Sequence, residues 1–317
     1  MTRGLIVNPQ SGKESGKGLE LASLLKNDTH VIVRILDDFS KLGAFLEDMA
    51  AARVSELFVS SGDGTVQAIQ TEIAERYAPG FVPHLALLPH GTTNMTAADL
   101  GFRNRNVKVQ ADFIANRQPR VLAKRPTLRV ANPKDGKVRH GMFLGTGAIW
   151  QATVFCQDAV HRVGLKGDFA TFATLAAAIA KSLFSPANPA DPTRIDRPYD
   201  ITLLQGGKTV LTDQHLMLLA TTLDKLILGT RPFWGGKDGP IRVSTIPYPV
   251  PSIARWLLPL MYGGEDRAVP QGARSLSGSS FEIKTRIPFV IDGEFFEAPN
   301  DAPLRLETGL EFTYVCG

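Results

Sequence analysis

The chain has little sulfur and no long apolar run. Among its 317 residues there are two cysteines, Cys156 and Cys316, far apart and with no CxxC or histidine partner spacing. That excludes a disulfide framework and offers no zinc-ligand pattern, so a reducing compartment is expected. The longest weakly polar run, Phe169 to Ala180, is too short to span a bilayer. Met1 leads through Thr2-Arg3 straight into Leu5-Ile6-Val7, which is too short for a signal peptide, so a cytoplasmic protein is expected. Neither sign of charge dominates, with 35 Lys+Arg against 31 Asp+Glu and a net charge of +4. The bases are unevenly placed, however. Arg103, Arg105, Lys108, Arg117, Arg120, Lys124, Arg125 and Arg129 face only Asp112 in that stretch. Such a run is either a solvated face or a patch for an anionic membrane surface. Nucleic acid is disfavoured, because only Phe113 interleaves the bases and no recognised motif accompanies them.

A content of 44% hydrophobic and 21% charged residues suits a folded protein, and the length suits two domains. The stretch that organises the chain runs from Leu57 to Ile69. An apolar strand breaks there on Ser60-Ser61-Gly62-Asp63-Gly64-Thr65, and a helical pattern with Val66, Ile69 and Ile73 follows. Gly62 and Gly64 allow close approach of the backbone to a ligand, and the N–H groups opening the helix favour an anion such as phosphate. Asp63 beside a phosphate requires a cation or a proton-handling role. The alternative is a plain Asp-Gly turn. The third glycine of the dinucleotide fingerprint is absent, and Gly12 and Gly16 miss the Walker A spacing by one residue.

Two further strands end the same way. The first breaks on Asn8-Pro9-Gln10-Ser11-Gly12-Lys13, and Leu85 to Leu88 breaks on Pro89-His90-Gly91-Thr92-Thr93-Asn94. Strands and helices alternate, including HVIVRIL at His30 to Leu36 and a helix carrying Leu42, Phe45, Leu46 and Met49 that Ser40 can cap. This predicts an α/β domain with a Rossmann-like parallel sheet and all three turns on one edge. His90 reads as a turn residue.

After Ala115-Asn116 the period changes to short strands: Thr127 to Ala131, Arg139 to Leu144, Tyr199 to Leu204, Thr209 to Leu211 and Leu216 to Thr222. An antiparallel second domain is predicted. Helices are expected at Gln151 to Arg162 and Asp168 to Phe184, the second with Phe169, Phe172 and Phe184 on a face that is core or lines an oily pocket. Ser185 to Pro198 reads as a loop. Pro251 to Tyr262 predicts a helix whose Trp256, Leu257, Leu258, Leu260 and Met261 cover the sheet or lie in a membrane interface. Asp292-Gly293 between apolar runs is a hairpin signal.

Taken in order, these turns, Gly145-Thr146-Gly147 and Asp292-Gly293-Glu294 resemble the diacylglycerol kinase and sphingosine kinase superfamily over almost the whole chain. The resemblance implies a nucleotide-binding domain over 1–122, an antiparallel β-sandwich lipid-binding domain over 123–317, and a cleft between them where ATP with Mg²⁺ phosphorylates a lipid hydroxyl. It implies that Asn8, Ser11, Gly12, Lys13, Gly62, Gly64 and Thr65 hold nucleotide phosphates, and that Gly91, Thr92 and Asn94 complete the pocket. Asp63, Asp292 and Glu294 would form the acidic centre, with Asp63 and Glu294 as Mg²⁺ ligands and one acid as the base. Phosphoryl transfer needs positioning and charge neutralisation, which such loops supply.

The chain departs from the family pattern where Gln67-Ala68 replaces Asn-Glu, and where Met95 and Ala123 replace acids of a hydrated Mg²⁺ network. Lys237-Asp238-Gly239 keeps one acid of a second metal element. Ser61-Gly62-Asp63-Gly64 and the apolar residue after Asn94 are similar to sphingosine kinases, tilting the substrate toward a ceramide or sphingoid base over diacylglycerol. The expected partner is a lipid in the membrane, met by peripheral docking through the basic run and the Trp256 helix at the inner face. No protein partner is indicated. A non-catalytic nucleotide or lipid sensor and an NAD kinase-like enzyme are the alternatives.

Overall fold

The computed structural model describes residues 2–11, 15–91, 94–116, 120–163, 181–182, 188, 191, 194–250 and 252–317. The helix expected over Asp168 to Phe184 lies outside the described residues apart from 181–182, as does half of the loop expected over Ser185 to Pro198.

In the first part, β1 (Thr2–Val7), β2 (Val31–Ile35), β3 (Val54–Ser61) and β4 (His84–Pro89) form a parallel sheet in the order β2-β1-β3-β4. Helices cover both of its faces, which is why its strands read as continuous apolar runs. The alternation of side chains along each strand divides them between two cores. Leu5, Val7, Phe58, Ala86 and Leu88 pack with Leu21 and Leu25 of α1 (Ser15–Leu25) and with Val107 and Ile114 of α5 (Val107–Ala115). Ile6, Leu57, Val59, Leu85 and Leu87 pack on the other face with Leu46 and Met49 of α2 (Leu42–Ala51) and with Val66 and Ile69 of α3 (Asp63–Glu72). The helix entry before α2 differs from expectation. Asp38, rather than Ser40, supplies the cap, accepting the Ser40 N–H at 2.9 Å to close a short 3₁₀ turn.

The strand order reverses between β1 and β3. At such a point consecutive crossovers leave toward opposite sides, and a crevice opens at the carboxyl ends of the two strands. Asn8 and Gly62 stand there.

The second part is antiparallel. It comprises β5 (Val121–Ala131), β6 (Arg139–Gly141), β7 (Phe143–Gly147), β8 (Tyr199–Gln205), β9 (Lys208–Thr221), β10 (Ile241–Pro247), β11 (Arg274–Gly278), β12 (Ser280–Lys284), β13 (Phe289–Ile291), β14 (Glu294–Phe296) and β15 (Leu304–Cys316). Their inward residues, among them Leu144, Leu203, Leu218, Val243, Phe281, Phe289 and Leu306, form a separate core. The helices α6 (Ala148–Val163) and α7 (Ile253–Tyr262) accompany these strands. The two strands expected at Thr209 to Leu211 and Leu216 to Thr222 are one, β9. The polar Thr212-Asp213-Gln214 between them is an exposed stretch laddered to β8, and Leu218 to Thr221 then pair with both β7 and β10.

The two parts are tied by β5 and β15, which pair along most of their length. At one end β15 pairs with β12, and at the other Tyr314 is registered with Leu85 of β4. The last strand thus completes the edge of the parallel sheet. Among the described residues no helix is long and apolar enough to cross a membrane.

Candidate active site

The first turn is organised by Asn8, which is buried. Its side-chain amide donates to Thr65 Oγ1 at 2.9 Å, and its Oδ1 accepts the Gln10 N–H at 2.8 Å. Asn8 therefore joins the end of β1 to the first turn of α3 across the crevice. Ser11 closes the loop behind it, its hydroxyl and N–H both donating to the Asn8 carbonyl. Gly12 and Lys13, also expected at the phosphates, lie outside the described residues.

The second and third turns touch backbone to backbone. A Cβ on Gly91 would collide with the Gly62 Cα and N, so no larger residue fits. Asn94, in the left-handed region at φ 48°, locks the third turn by accepting the Gly91 N–H at 2.8 Å and donating to the Gly91 carbonyl. His90 is a turn residue, as expected, and is also buried with its Nδ1 2.8 Å from Ser60 Oγ. Thr92 lies outside the described residues.

Asp63 opens α3, and its carboxylate accepts the Met95 N–H at 2.8 Å and the Thr96 N–H at 3.0 Å at the start of α4 (Met95–Leu100). Burial pushes its pKa above the usual carboxylate value, and these two backbone donors oppose the shift. Asp292 is held in the same manner from the other side of the cleft. It sits at φ 49° in the hairpin between β13 and β14, with Gly293 at φ 90° beside it. Its carboxylate accepts the Met142 N–H at 2.9 Å and the Phe143 N–H at 3.0 Å. Burial first, then the charge of Asp63, hold its pKa well above the ordinary value, against the pull of the two donors. The Asp-Gly pair is thus both a hairpin turn and a site element. Glu294 is exposed, and its carboxylate lies where a Cβ on Gly64 would be. The hairpin of the second part therefore presses directly on the glycine turn of the first.

Gly145-Thr146-Gly147 lies in β7, next to this hairpin. Thr146 and Gly145 are registered with Phe289 and Val290, and the Thr146 hydroxyl donates to the Pro288 carbonyl at 2.9 Å.

The three positions that lack family acids are filled by hydrocarbon. Met95 is buried in the core beneath the site, and Ala68 and Ala123 pack against that core. Among the described residues no three His, Cys, Asp or Glu side chains stand together in a metal-binding arrangement. The residues present therefore do not form a cage for Mg²⁺. They fit an ion that keeps much of its water, is carried on nucleotide phosphates and takes one carboxylate from the protein, which is a usual arrangement for Mg²⁺. At Lys237-Asp238-Gly239, Lys237 pairs with Glu265 and the Asp238 N–H is held by Ser277 Oγ at 2.7 Å.

The family model for the diacylglycerol kinase catalytic domain matches residues 3–123, which contain all three strand-end turns. Over those residues the chain is similar to the diacylglycerol kinase catalytic domain. Solved structures extend the likeness of fold to the whole chain. A diacylglycerol kinase from Bacillus anthracis str. Sterne aligns at a TM-score of 0.63 with 15% identity, covering 99% of this chain and 96% of that one. Yeast NADH kinase complexed with NADH aligns at 0.51 with 10% identity, covering 100% and 84%. At these identities the likeness is of fold alone. No curated protein matches the chain.

Several residues of this site had no signal in the sequence. Beneath Asp292, Tyr314 is fully buried and accepts from the Gln70 amide at 2.7 Å, and burial raises its pKa. Thr221 donates to the Met142 carbonyl at 2.6 Å, supporting the segment whose N–H groups hold Asp292. Met95, Thr96, Met142 and Phe143 act through main-chain N–H groups, which no residue type advertises. Four of the eight bases between Arg103 and Arg129 form ion pairs: Arg120 with Glu56, Lys124 with Glu311, Arg125 with Asp224, and Arg129 with Glu75 and Glu307. Arg117 lies outside the described residues.

Proposed function

We propose that the protein is an ATP-dependent lipid kinase that transfers the γ-phosphoryl group to a hydroxyl of a membrane lipid of the ceramide, sphingoid or diacylglycerol type. The observation that carries this is the placement of the Asp292–Glu294 hairpin directly on the Gly62–Asp63–Gly64 turn. Anion-binding backbone and proton-handling carboxylates meet there, which is what phosphoryl transfer to an alcohol needs. In this reading residues 1–122 bind nucleotide and 123–317 bind lipid. The glycine turns and the first turn of α3 hold the phosphates. Mg²⁺ carried by the nucleotide would neutralise charge on the phosphate oxygens, with Asp63 or Glu294 as its protein ligand.

Asp292 is assigned as the general base. Its raised pKa brings it closer to working pH, where a carboxylate removes a hydroxyl proton most effectively. As the lipid oxygen loses its proton to Asp292 it bonds to the γ-phosphorus, and the bond from that phosphorus to the bridging oxygen breaks to release ADP. The enzyme would work on the inner face of the cytoplasmic membrane.

The test is transfer of labelled γ-phosphate from ATP with Mg²⁺ to ceramide, sphingosine, diacylglycerol and monoacylglycerol in mixed micelles. Transfer to one of them, lost in Asp63→Ala and Asp292→Asn, supports the reading. ATP binding without transfer to any lipid would instead favour a sensor, motivated by the hydrocarbon at Ala68, Met95 and Ala123. Transfer to NAD would favour the NAD kinase alternative, to which the yeast NADH kinase fold gives structural support.

A further inference from the structure

The loop after β9 runs outward from the site. Thr221 and Thr222 both donate to the Met142 carbonyl, and the Met142 N–H holds Asp292. Leu223 and Leu226 are then buried in the core beneath the site. The segment Lys225-Leu226-Ile227-Leu228-Gly229-Thr230-Arg231 turns back sharply, closed by Leu226 N–H to the Thr230 carbonyl at 2.8 Å and Gly229 N–H to the Leu226 carbonyl at 3.0 Å. At its tip Ile227 is 49% and Leu228 79% exposed. Leu228 also has φ 56°, a left-handed conformation that costs a side-chain-bearing residue about 1–2 kcal/mol. Folding alone gives no reason for an apolar residue that is both strained and exposed.

The tip does not stand alone. The Arg231 N–H donates to the Met261 carbonyl at 2.7 Å, and the Tyr262 hydroxyl donates to the Leu228 carbonyl at 3.4 Å, so the end of α7 is packed beside it. That helix adds Leu258, 68% exposed, and Tyr262, 52% exposed, four residues apart and hence on one face. Trp256, by contrast, is half-buried with the cluster under the helix. Lys225 and Arg231 bracket the tip, are exposed and make no ion pair among the described residues. Both line a cleft of about 440 Å³ behind it, in which Asp224 is already engaged by Arg125 and Arg242, and Glu265 by Lys237. Arg255 stands exposed on α7 over the Trp256 ring.

We propose that Ile227, Leu228, Leu258 and Tyr262 form a docking face for an anionic lipid bilayer, with the loop tip entering the headgroup region and Lys225 and Arg231 meeting acidic headgroups. Apolar side chains ringed by free cations are complementary to such a surface, where burial of hydrocarbon and charge attraction add. The proposal rests on the lipid-kinase reading only for its purpose, which is to bring the cleft beside Asp292 to the bilayer. The binding itself can be measured without catalysis.

The test is co-sedimentation of the full chain with vesicles of phosphatidylcholine alone and of phosphatidylcholine mixed with phosphatidylglycerol. Leu228→Asn removes the apolar tip yet suits the left-handed backbone, so the fold is retained, which a thermal melt checks. The expected result is binding to the mixed vesicles that falls about tenfold in Leu228→Asn. Lys225→Gln and Arg231→Gln should each cost about fivefold on mixed vesicles and leave binding to phosphatidylcholine unchanged. Wild-type binding by Leu228→Asn, or no preference for the anionic vesicles, overturns the proposal. So does a solution dimer that Leu228→Asn dissociates while no vesicle is bound, which would give the face to a second copy of the chain. Vesicle binding that shows these losses without phosphorylation of any lipid supports the docking face and counts against the kinase reading alone.

Discussion

Asp63 and Asp292 are held as mirror counterparts, each carboxylate taking two successive backbone N–H groups from a facing segment, and each is buried. The charge of Asp63 is one of the causes that raise Asp292. If Asp292 is the base, activity falls as pH drops through its raised pKa, so the acid limb of kcat/KM lies above the ordinary carboxylate range. Replacing Asp63 by Asn removes the like charge, and the limb in the residual activity should move to lower pH. Stability carries the opposite sign. The contribution of a buried neutral Asp292 is fully present below the ordinary carboxylate pKa and is lost as pH rises through the raised one. A pH–rate profile and a pH series of thermal melts, for the wild type and Asp63→Asn, check both.

Gly64→Ala should injure the site without unfolding the protein. Its Cβ meets the far end of the Glu294 side chain, which can swing aside. The variant should melt with the wild type and lose activity about as far as Glu294→Ala does, on the order of a hundredfold if that carboxylate acts on protons or metal in the transition state. The double variant should be no worse than either single one. A double-mutant cycle on kcat/KM reads this directly.

Gly91→Ala makes a contrasting case. Its Cβ meets the Gly62 backbone, and a backbone held by β3 and α3 has nowhere to go. Overpacking of this kind costs about 1–3 kcal/mol. A lowered melting temperature together with weakened nucleotide binding is the expected result.

His140 pins the two parts of the molecule together. Its Nε2 lies 2.9 Å from Glu75 in the π-helical turn Ile73–Tyr77 that follows α3, and its Nδ1 lies 2.8 Å from Thr127 in β5. Burial lowers its pKa, with the Glu75 hydrogen bond opposing. A depressed histidine contributes stability that is present above its ordinary pKa and lost as pH falls through the lowered value. The melting temperature should therefore drop on acidification below the usual histidine range, and His140→Asn should flatten that drop. At neutral pH the same variant should cost about 1–3 kcal/mol in chemical denaturation, since it takes a hydrogen-bonding partner from the buried Thr127.

Much of this architecture is legible in the sequence because its signals are local. Continuous apolar strands such as Leu57 to Val59 announce burial on both faces, and polar glycine turns announce their carboxyl ends. Asp292-Gly293 announces its hairpin. What the sequence hides is contact between distant segments made by anonymous groups. The donors to Asp63 include the N–H groups of Met95 and Thr96, and a main-chain donor is the same whatever the residue type. The contact of Glu294 with Gly64 exists only because two parts of the chain close on each other. The pairing within the basic run is hidden for a related reason. Lys124 and Arg125 are neighbours in sequence but point to opposite faces of β5, so one meets Glu311 and the other Asp224. The loop at Leu228 is silent in sequence because apolar residues after a strand suggest core.

The pairing of Tyr314 with Leu85 bears on how the molecule can be made. The edge of β4 is covered by a strand that the ribosome delivers only with residues 312–316, long after the first four strands have emerged. Until then the nascent parallel sheet offers a bare ladder of donors and acceptors, a template for pairing with other chains. A fragment cut near residue 123 would keep that edge permanently and should aggregate, although it contains all three strand-end turns of the parallel sheet. The unit of sequence relationship is therefore smaller than the unit of folding.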